Sequence, residues 1–222
     1  MSRLFLSILI FVVAFLCWQD ILWAGRLPKL RYDVKLGPIR MGHAEIEDLG
    51  EEEHPDLGRV RHLRVKVHTS QFKDVEDIYA DPDRFVPLRV ERDLVYLGKH
   101  EKIVEYYGQD KGQIRVVKEG DGEKFLHRDP PVQNVFLVIL KAFELGVESV
   151  GKRINLPTSS YRLIVRNGRR IRTRQGLFST YKVSTDPRKI AIWIDKEKGI
   201  PIRISGAVPI LPYVLSLTKI EG

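Results

Sequence analysis

Short apolar runs with a period of two dominate the chain from about residue 26 onward. In YDVKLGPIRMGHAEIE, residues 32–47, Tyr32, Val34 and Leu36 alternate with polar positions, and Ile39 and Met41 resume the alternation after Gly37-Pro38. Alternation broken by a Gly/Pro pair predicts a β-hairpin. In VRHLRVKVHTS, Leu63, Val65 and Val67 face one way and His62, Arg64, Lys66 and His68 the other, the pattern of a strand with one wet face. RFVPLRVERDL, HEKIVEYY, QIRVVKE and EKFLH follow at roughly ten-residue spacing, which predicts an antiparallel meander curling into a sandwich or barrel. EDLGEEEHPD, residues 47–56, reads as a solvated acidic turn. QFKDVEDIYADPDR, residues 71–84, fits either a short helix, with Phe72, Val75, Ile78 and Tyr79 on one side, or an irregular edge.

DPPVQNVFLVILKAFELG, residues 129–146, departs from this period. Val132, Val135, Phe136, Ile139, Leu140 and Phe143 form a helical stripe that Leu137 and Val138 extend almost all round. Pro130 and Pro131 open the segment and Gly146 closes it, the usual asymmetry of helix ends. A helix apolar on nearly every side is buried, and about four turns fall short of the ~20 apolar residues a bilayer requires. The fold class predicted is mainly β: a curved antiparallel sheet, half-open barrel or sandwich, with one buried apolar helix.

Two later hairpins are readable. In SYRLIVRNGRRIRTRQG, a two-residue Asn167-Gly168 loop and a three-residue loop from Arg166 to Gly168 compete. The second separates apolar from basic positions better: Leu163 faces Ile171, Tyr161 faces Thr173, and Arg162, Arg170, Arg172 and Arg174 share one face. In IAIWID-KEKG-IPIRI, two strands flank a charged turn, and Pro201 suits the first residues of the return strand because it cannot donate to a ladder.

Charge and the N-terminus place these elements. Residues 4–18, LFLSILIFVVAFLCW, follow Arg3 and end before Gln19-Asp20. The pattern predicts a signal peptide over residues 1–24, export to the periplasm, and one β-rich envelope domain over 25–222. The alternative is an uncleaved inner-membrane anchor, residues 4–18 then being the membrane contact. Cys17 is the only cysteine and lies in this leader, so the domain has no disulfide framework or thiolate site. The net charge is +8, from 37 Lys and Arg against 29 Asp and Glu. In an exported protein that excess points to anionic lipid, lipopolysaccharide or an acidic protein rather than nucleic acid.

Catalytic and metal-binding patterns are not found. Ser179 to Lys182 has the S-x-x-K spacing, but in a strand the two side chains point to opposite faces. His62 and His68 share a face about 20 Å apart, too far for one metal. No G-x-S-x-G, H-E-x-x-H or Gly-rich strand-to-helix loop occurs. The expectation is a non-enzymatic protein without cofactor or metal.

The Trp-x-Asp, turn, Pro-x-Arg layout of residues 193–203 is similar to a hairpin of periplasmic lipoprotein carriers, half-open barrels with a helix plugging an apolar cavity. YDVKLGPIRMGHAEIE, the helix after DPPVQN, the GKRINLP strand and the IWID…GIPIRI hairpin resemble, in that order, the exported bacterial proteins of domain-of-unknown-function family 3108. The resemblance implies a lipid-carrier-like shape in the cell envelope and no catalytic residues to carry over. Under it, Val135, Phe136, Ile139, Leu140 and Phe143 line a cavity for a lipid or lipidated partner, with Trp193 in the sheet opposite Ile202 or Ile204. The alternative for the same residues is a closed core, the protein then docking on an anionic envelope partner through its basic sheet face.

Overall fold

The computed structural model describes residues 26–96, 98–208 and 211–221, so the leader expected over residues 1–24 lies outside the described residues. Eight strands follow one another in the first half: β1 (Lys29–Leu36), β2 (Ile39–His54), β3 (Gly58–Thr69), β4 (Phe72–Asp81), β5 (Val86–Tyr96), β6 (Lys99–Gly108), β7 (Gln113–Lys118) and β8 (Gly122–His127). The helix α1 (Val135–Leu145) and a 3-10 turn (Val147–Val150) interrupt them. The second half holds β9 (Arg153–Asn155), β10 (Ser160–Asn167), β11 (Ile171–Thr173), β12 (Gly176–Phe178), β13 (Thr180–Asp186), β14 (Ala191–Asp195), β15 (Pro201–Val208) and β16 (Leu211–Glu221).

Fourteen strands make one antiparallel sheet in the order β8-β7-β6-β5-β4-β3-β2-β1-β16-β15-β14-β13-β10-β9, while β11 and β12 pair separately. The first and last strands are neighbours, which leaves β8 and β9 as the two edges. The large curved sheet does not close, as in a half-open barrel. Main-chain bonds span the connection between its edges: Arg128 N donates to Gly112 O at 2.8 Å and Gln133 N to Asn155 O at 2.7 Å.

The face on which α1 packs, here the inner face, follows from the register. Glu76, Val65, Ile46 and Leu30 lie opposite one another across four strands, and so do Val34, Leu215, Ile204 and Ile192. Leu30, Tyr32, Ile46, Leu63, Ile78, Ile202, Leu137 and Leu140 are all at most 1 % exposed in one continuous core. Each such side chain contributes about 1.5–3 kcal/mol of burial, so helix and sheet hold each other. Gly42 in β2 is required by close approach, because a Cβ there would meet the His68 carbonyl of β3. Among the described residues no helix is long and apolar enough to cross a membrane.

The structure departs from the sequence reading at four places. Residues 71–84 form neither helix nor edge: β4 is an interior strand between β3 and β5. Its inner-face positions, Asp74, Glu76, Ile78 and Ala80, mix charge with apolar groups and so disguise the period. The acidic stretch 47–56 is largely strand, with β2 bulging between Asp48 and Gly50, because Glu47, Glu51 and Glu53 lie opposite Arg64, Arg61 and Arg59 of β3. Cross-strand opposite charges favour such pairing. The helix begins at Val135, after Pro130 and Pro131 (whose peptide bond is cis), because Asn134 caps it: its Oδ1 accepts from Phe136 N at 2.8 Å. Gly146, at φ 86°, ends the helix as expected.

The fourth departure is the Asn167-Gly168 hairpin, which does not form. β10 pairs with β13, placing Leu163 opposite Thr185 and Val165 opposite Val183, while Ile171 pairs with Phe178 in the β11–β12 hairpin. The chain turns out of the sheet at Gly168, held by Gly168 N to Thr180 O at 2.8 Å and Thr180 Oγ1 to Arg169 O at 2.8 Å. The excursion crosses the outer face of β1 and β16. Arg174 lies 3.6 Å from Asp33, and Gln175 Nε2 donates to Thr218 O at 2.9 Å.

Candidate functional site: a closed inner face and a basic outer pocket

On the inner face the structure brings the five helix candidates together. Ile139 and Leu140 are 1 % and 0 % exposed, and the half-buried Val135, Phe136 and Phe143 pack against the same core. Polar groups tie the helix at both ends. At its start, Asn134 Nδ2 donates to Glu76 Oε1 at 2.9 Å. Burial pushes the Glu76 carboxyl up to about 7, against the opposing pull of the nearby Arg92 guanidinium. Arg92 is itself ion-paired with Asp74, and the Tyr107 hydroxyl donates to Glu105 on the same face.

At the other end, Glu144 Oε1 lies 2.8 Å from Arg61 Nη2. Arg61 Nε and Leu27 N both donate to the buried Asp48 carboxylate, at 2.8 and 3.0 Å. A helix with a buried apolar flank, hydrogen-bonded to the sheet at its start and ion-paired to it at its end, is a fixed part of the core. These ties were not legible in the sequence, because Glu76, Asp48 and Arg61 look like ordinary solvent-facing charges until the register turns them inward or beneath the helix.

Trp193 does not join the helix group. It lies opposite Arg203 rather than Ile202 or Ile204, because a bulge after Trp193 lets Ile194 pair with Pro201. Its other cross-strand partner is Lys182. Ile192 and Ile204 point inward, so Trp193, Lys182 and Arg203 share the outer face. The Lys182 ammonium is 5.2 Å and the Arg203 guanidinium carbon 5.6 Å from the indole ring centroid, and Trp193 is 7 % exposed.

This trio belongs to a pocket of about 750 Å³ bounded by the outer face of β13–β16, the start of the excursion at Asn167, and the turn between β13 and β14. Arg169, Lys182, Arg188, Lys189 and Arg203 line it, and among the described residues no Asp or Glu does. Burial, followed by repulsion from Arg188, Arg166 and Arg169, holds the Lys182 ammonium below the usual lysine range. Burial and Arg169 likewise lower the Arg203 guanidinium. Arg203 Nε is shielded from solvent and has no hydrogen-bond partner among the described residues. Elsewhere the guanidinium groups of Arg40, Arg59, Arg61, Arg64 and Arg92 are ion-paired with carboxylates.

The basic residues singled out from the sequence are not one face. Arg162 is exposed in β10 opposite Asp186, Arg170 and Arg172 are exposed on the excursion, and Arg174 neighbours Asp33. The pocket draws its cations instead from the excursion, β13, the β13–β14 turn and β15. One signal was available: in a β13–β14–β15 meander, Lys182 and Arg203 flank Trp193 on one face, while Val183, Ile192, Ile194 and Ile204 take the other. Among the described residues no cluster of three or more His, Cys, Asp or Glu side chains is placed to hold a metal ion.

The fold has a solved counterpart. The crystal structure of a beta-barrel-like protein of domain of unknown function DUF1849 from Brucella abortus is similar over 89 % of this chain and 99 % of that one, with a TM-score of 0.52 and 14 % sequence identity. At that identity the likeness concerns the fold alone. No curated protein matches. The sequence pattern of the family described as protein of unknown function (DUF3108) matches residues 31–217, from the first strand to the last, and the chain belongs to that family.

Proposed function

We propose that this is a non-enzymatic protein of the bacterial cell envelope that docks on an anionic lipid surface through its basic outer face, with its apolar core closed. The observation that carries the reading is the pocket around Trp193, where Arg169, Lys182, Arg188, Lys189 and Arg203 converge with no carboxylate among the described residues. Collecting like charges costs folding free energy, so such an arrangement is explained by an anion that neutralises it. The apolar leader and the net charge of +8 support export and attraction to anionic lipid. The buried ties at Asn134 and Glu144 favour a closed core over a lipid cavity, since carriage of an acyl chain beneath α1 requires both to break.

Cosedimentation with vesicles tests the reading. The chain is expected to pellet with phosphatidylglycerol-containing vesicles, to stay in solution with pure phosphatidylcholine, and to be released as salt rises. Equal, salt-insensitive binding to both, or binding to neither, contradicts it. Acyl lipid recovered in stoichiometric amount from the purified protein supports carriage instead.

A further inference from the structure

We infer that the pocket floored by Trp193 is a specific site for a phosphomonoester group, held by Lys182 and Arg203 beneath Arg169, Arg188 and Lys189. The inference deepens the docking reading, on which it rests for the supposition that a lipid presents the phosphate. Three features of the pocket select the ligand. Its cations come from β13, β15, the excursion and the β13–β14 turn, so they surround a volume rather than decorate a flat face. That volume, about 750 Å³, is of the size that holds small-molecule ligands. It accommodates a phosphate together with the group it esterifies.

Charge sets the class. Among the described residues no carboxylate pairs with any of these cations. A phosphomonoester brings a charge of about −1.5 to −2 and three acceptor oxygens, against one charge and two oxygens for a carboxylate. Arg203 presents an Nε–H without a partner, and guanidinium groups bind phosphate oxygens in a bidentate fork. Lys182 and Arg203 already lie over the indole, so a bound phosphate neutralises the charges next to Trp193 and alters its emission.

Indole fluorescence provides the test. In the full chain carrying Trp18→Phe and Trp23→Phe, Trp193 is the only tryptophan. This protein is titrated with sn-glycerol 3-phosphate and, separately, with phosphatidic-acid vesicles. A saturable emission change is expected, weakened at least tenfold by Lys182→Gln and by Arg203→Gln, and unaltered by Lys124→Gln on the distant, exposed β8. A response to the soluble ester identifies a free phosphorylated molecule as a ligand, and a response to vesicles alone identifies a lipid headgroup. Both pocket variants remove like-charge repulsion, so their melting temperatures should match or exceed that of the parent, which separates lost binding from lost folding.

No response to either probe, or a response that survives in folded Lys182→Gln and Arg203→Gln variants, overturns the inference. If that happens while cosedimentation with phosphatidylglycerol-containing vesicles persists, the docking reading stands and the pocket site falls. Conversely, a response to glycerol phosphate without any vesicle binding leaves the site standing while the docking reading falls.

Discussion

Glu76 shows how much of this molecule depends on single polar side chains under the helix. Its hydrogen bond from Asn134 joins the helix cap to β4, and burial raises its carboxyl to about 7. An acid whose folded pKa exceeds its unfolded one keeps its proton longer in the native state. Its stabilising balance is therefore complete below about pH 4.5 and is lost as pH rises through about 7. Glu76→Gln keeps an acceptor for Asn134 and removes the ionisation. Thermal melts of parent and variant at several pH values are expected to agree near pH 4.5 and to diverge above pH 7, the variant being more stable by up to about 3 kcal/mol. Parallel curves across that range contradict the assignment of a buried, titrating Glu76. At Trp193 the same scale of detail reverses the reading: one bulge replaces Ile202 by Arg203 as its cross-strand partner, turning a presumed cavity residue into the floor of a basic pocket.

At the level of elements, the apolar positions were the legible part. The hairpins around Gly37-Pro38 and KEKG and the greasy helix follow from period and turn residues and are present; β3 buries Leu63 and Val65 as its alternation predicts, but His62 on the face expected to be wet is buried too, stacked on Tyr79. Illegible were the elements whose pattern is polar for a reason outside themselves. β4 carries Asp74 and Glu76 inward, where Arg92 and Asn134 meet them. The acidic end of β2 is strand because β3 brings arginines opposite. Asn167-Gly168 resembles a hairpin turn, but β10 finds its partner in β13, past a ten-residue detour through residues 169–178 that local sequence does not announce. The helix itself gives a direct check. Ile139 is 1 % exposed against the sheet, so Ile139→Asp should lower stability by several kcal/mol, about 3–5, through an unpaired buried carboxylate. Circular-dichroism melting should show a large drop or no folded protein, and a melting temperature unchanged from the parent contradicts a buried α1.

For the whole molecule, the two faces of the sheet divide the work. The inner face is spent on the helix, with Tyr32 donating to the Pro201 carbonyl at 2.8 Å inside the core and ion pairs at the helix end. On the outer face of β13–β16, Lys182 and Arg203 lie beside an indole and, among the described residues, have no carboxylate partner, with Arg169 at the start of the excursion on the rim of the pocket. Hydrogen exchange with and without phosphatidic-acid vesicles distinguishes binding at one face from binding at the other. Amides of residues 167–169 and of residues 188–190 should become protected on binding, while those of α1 (Val135–Leu145) exchange at unchanged rates. Faster exchange throughout α1 on addition of lipid, with residues 167–169 and 188–190 unaffected, would show a lipid entering beneath a released helix and would contradict the closed core and the outer site together.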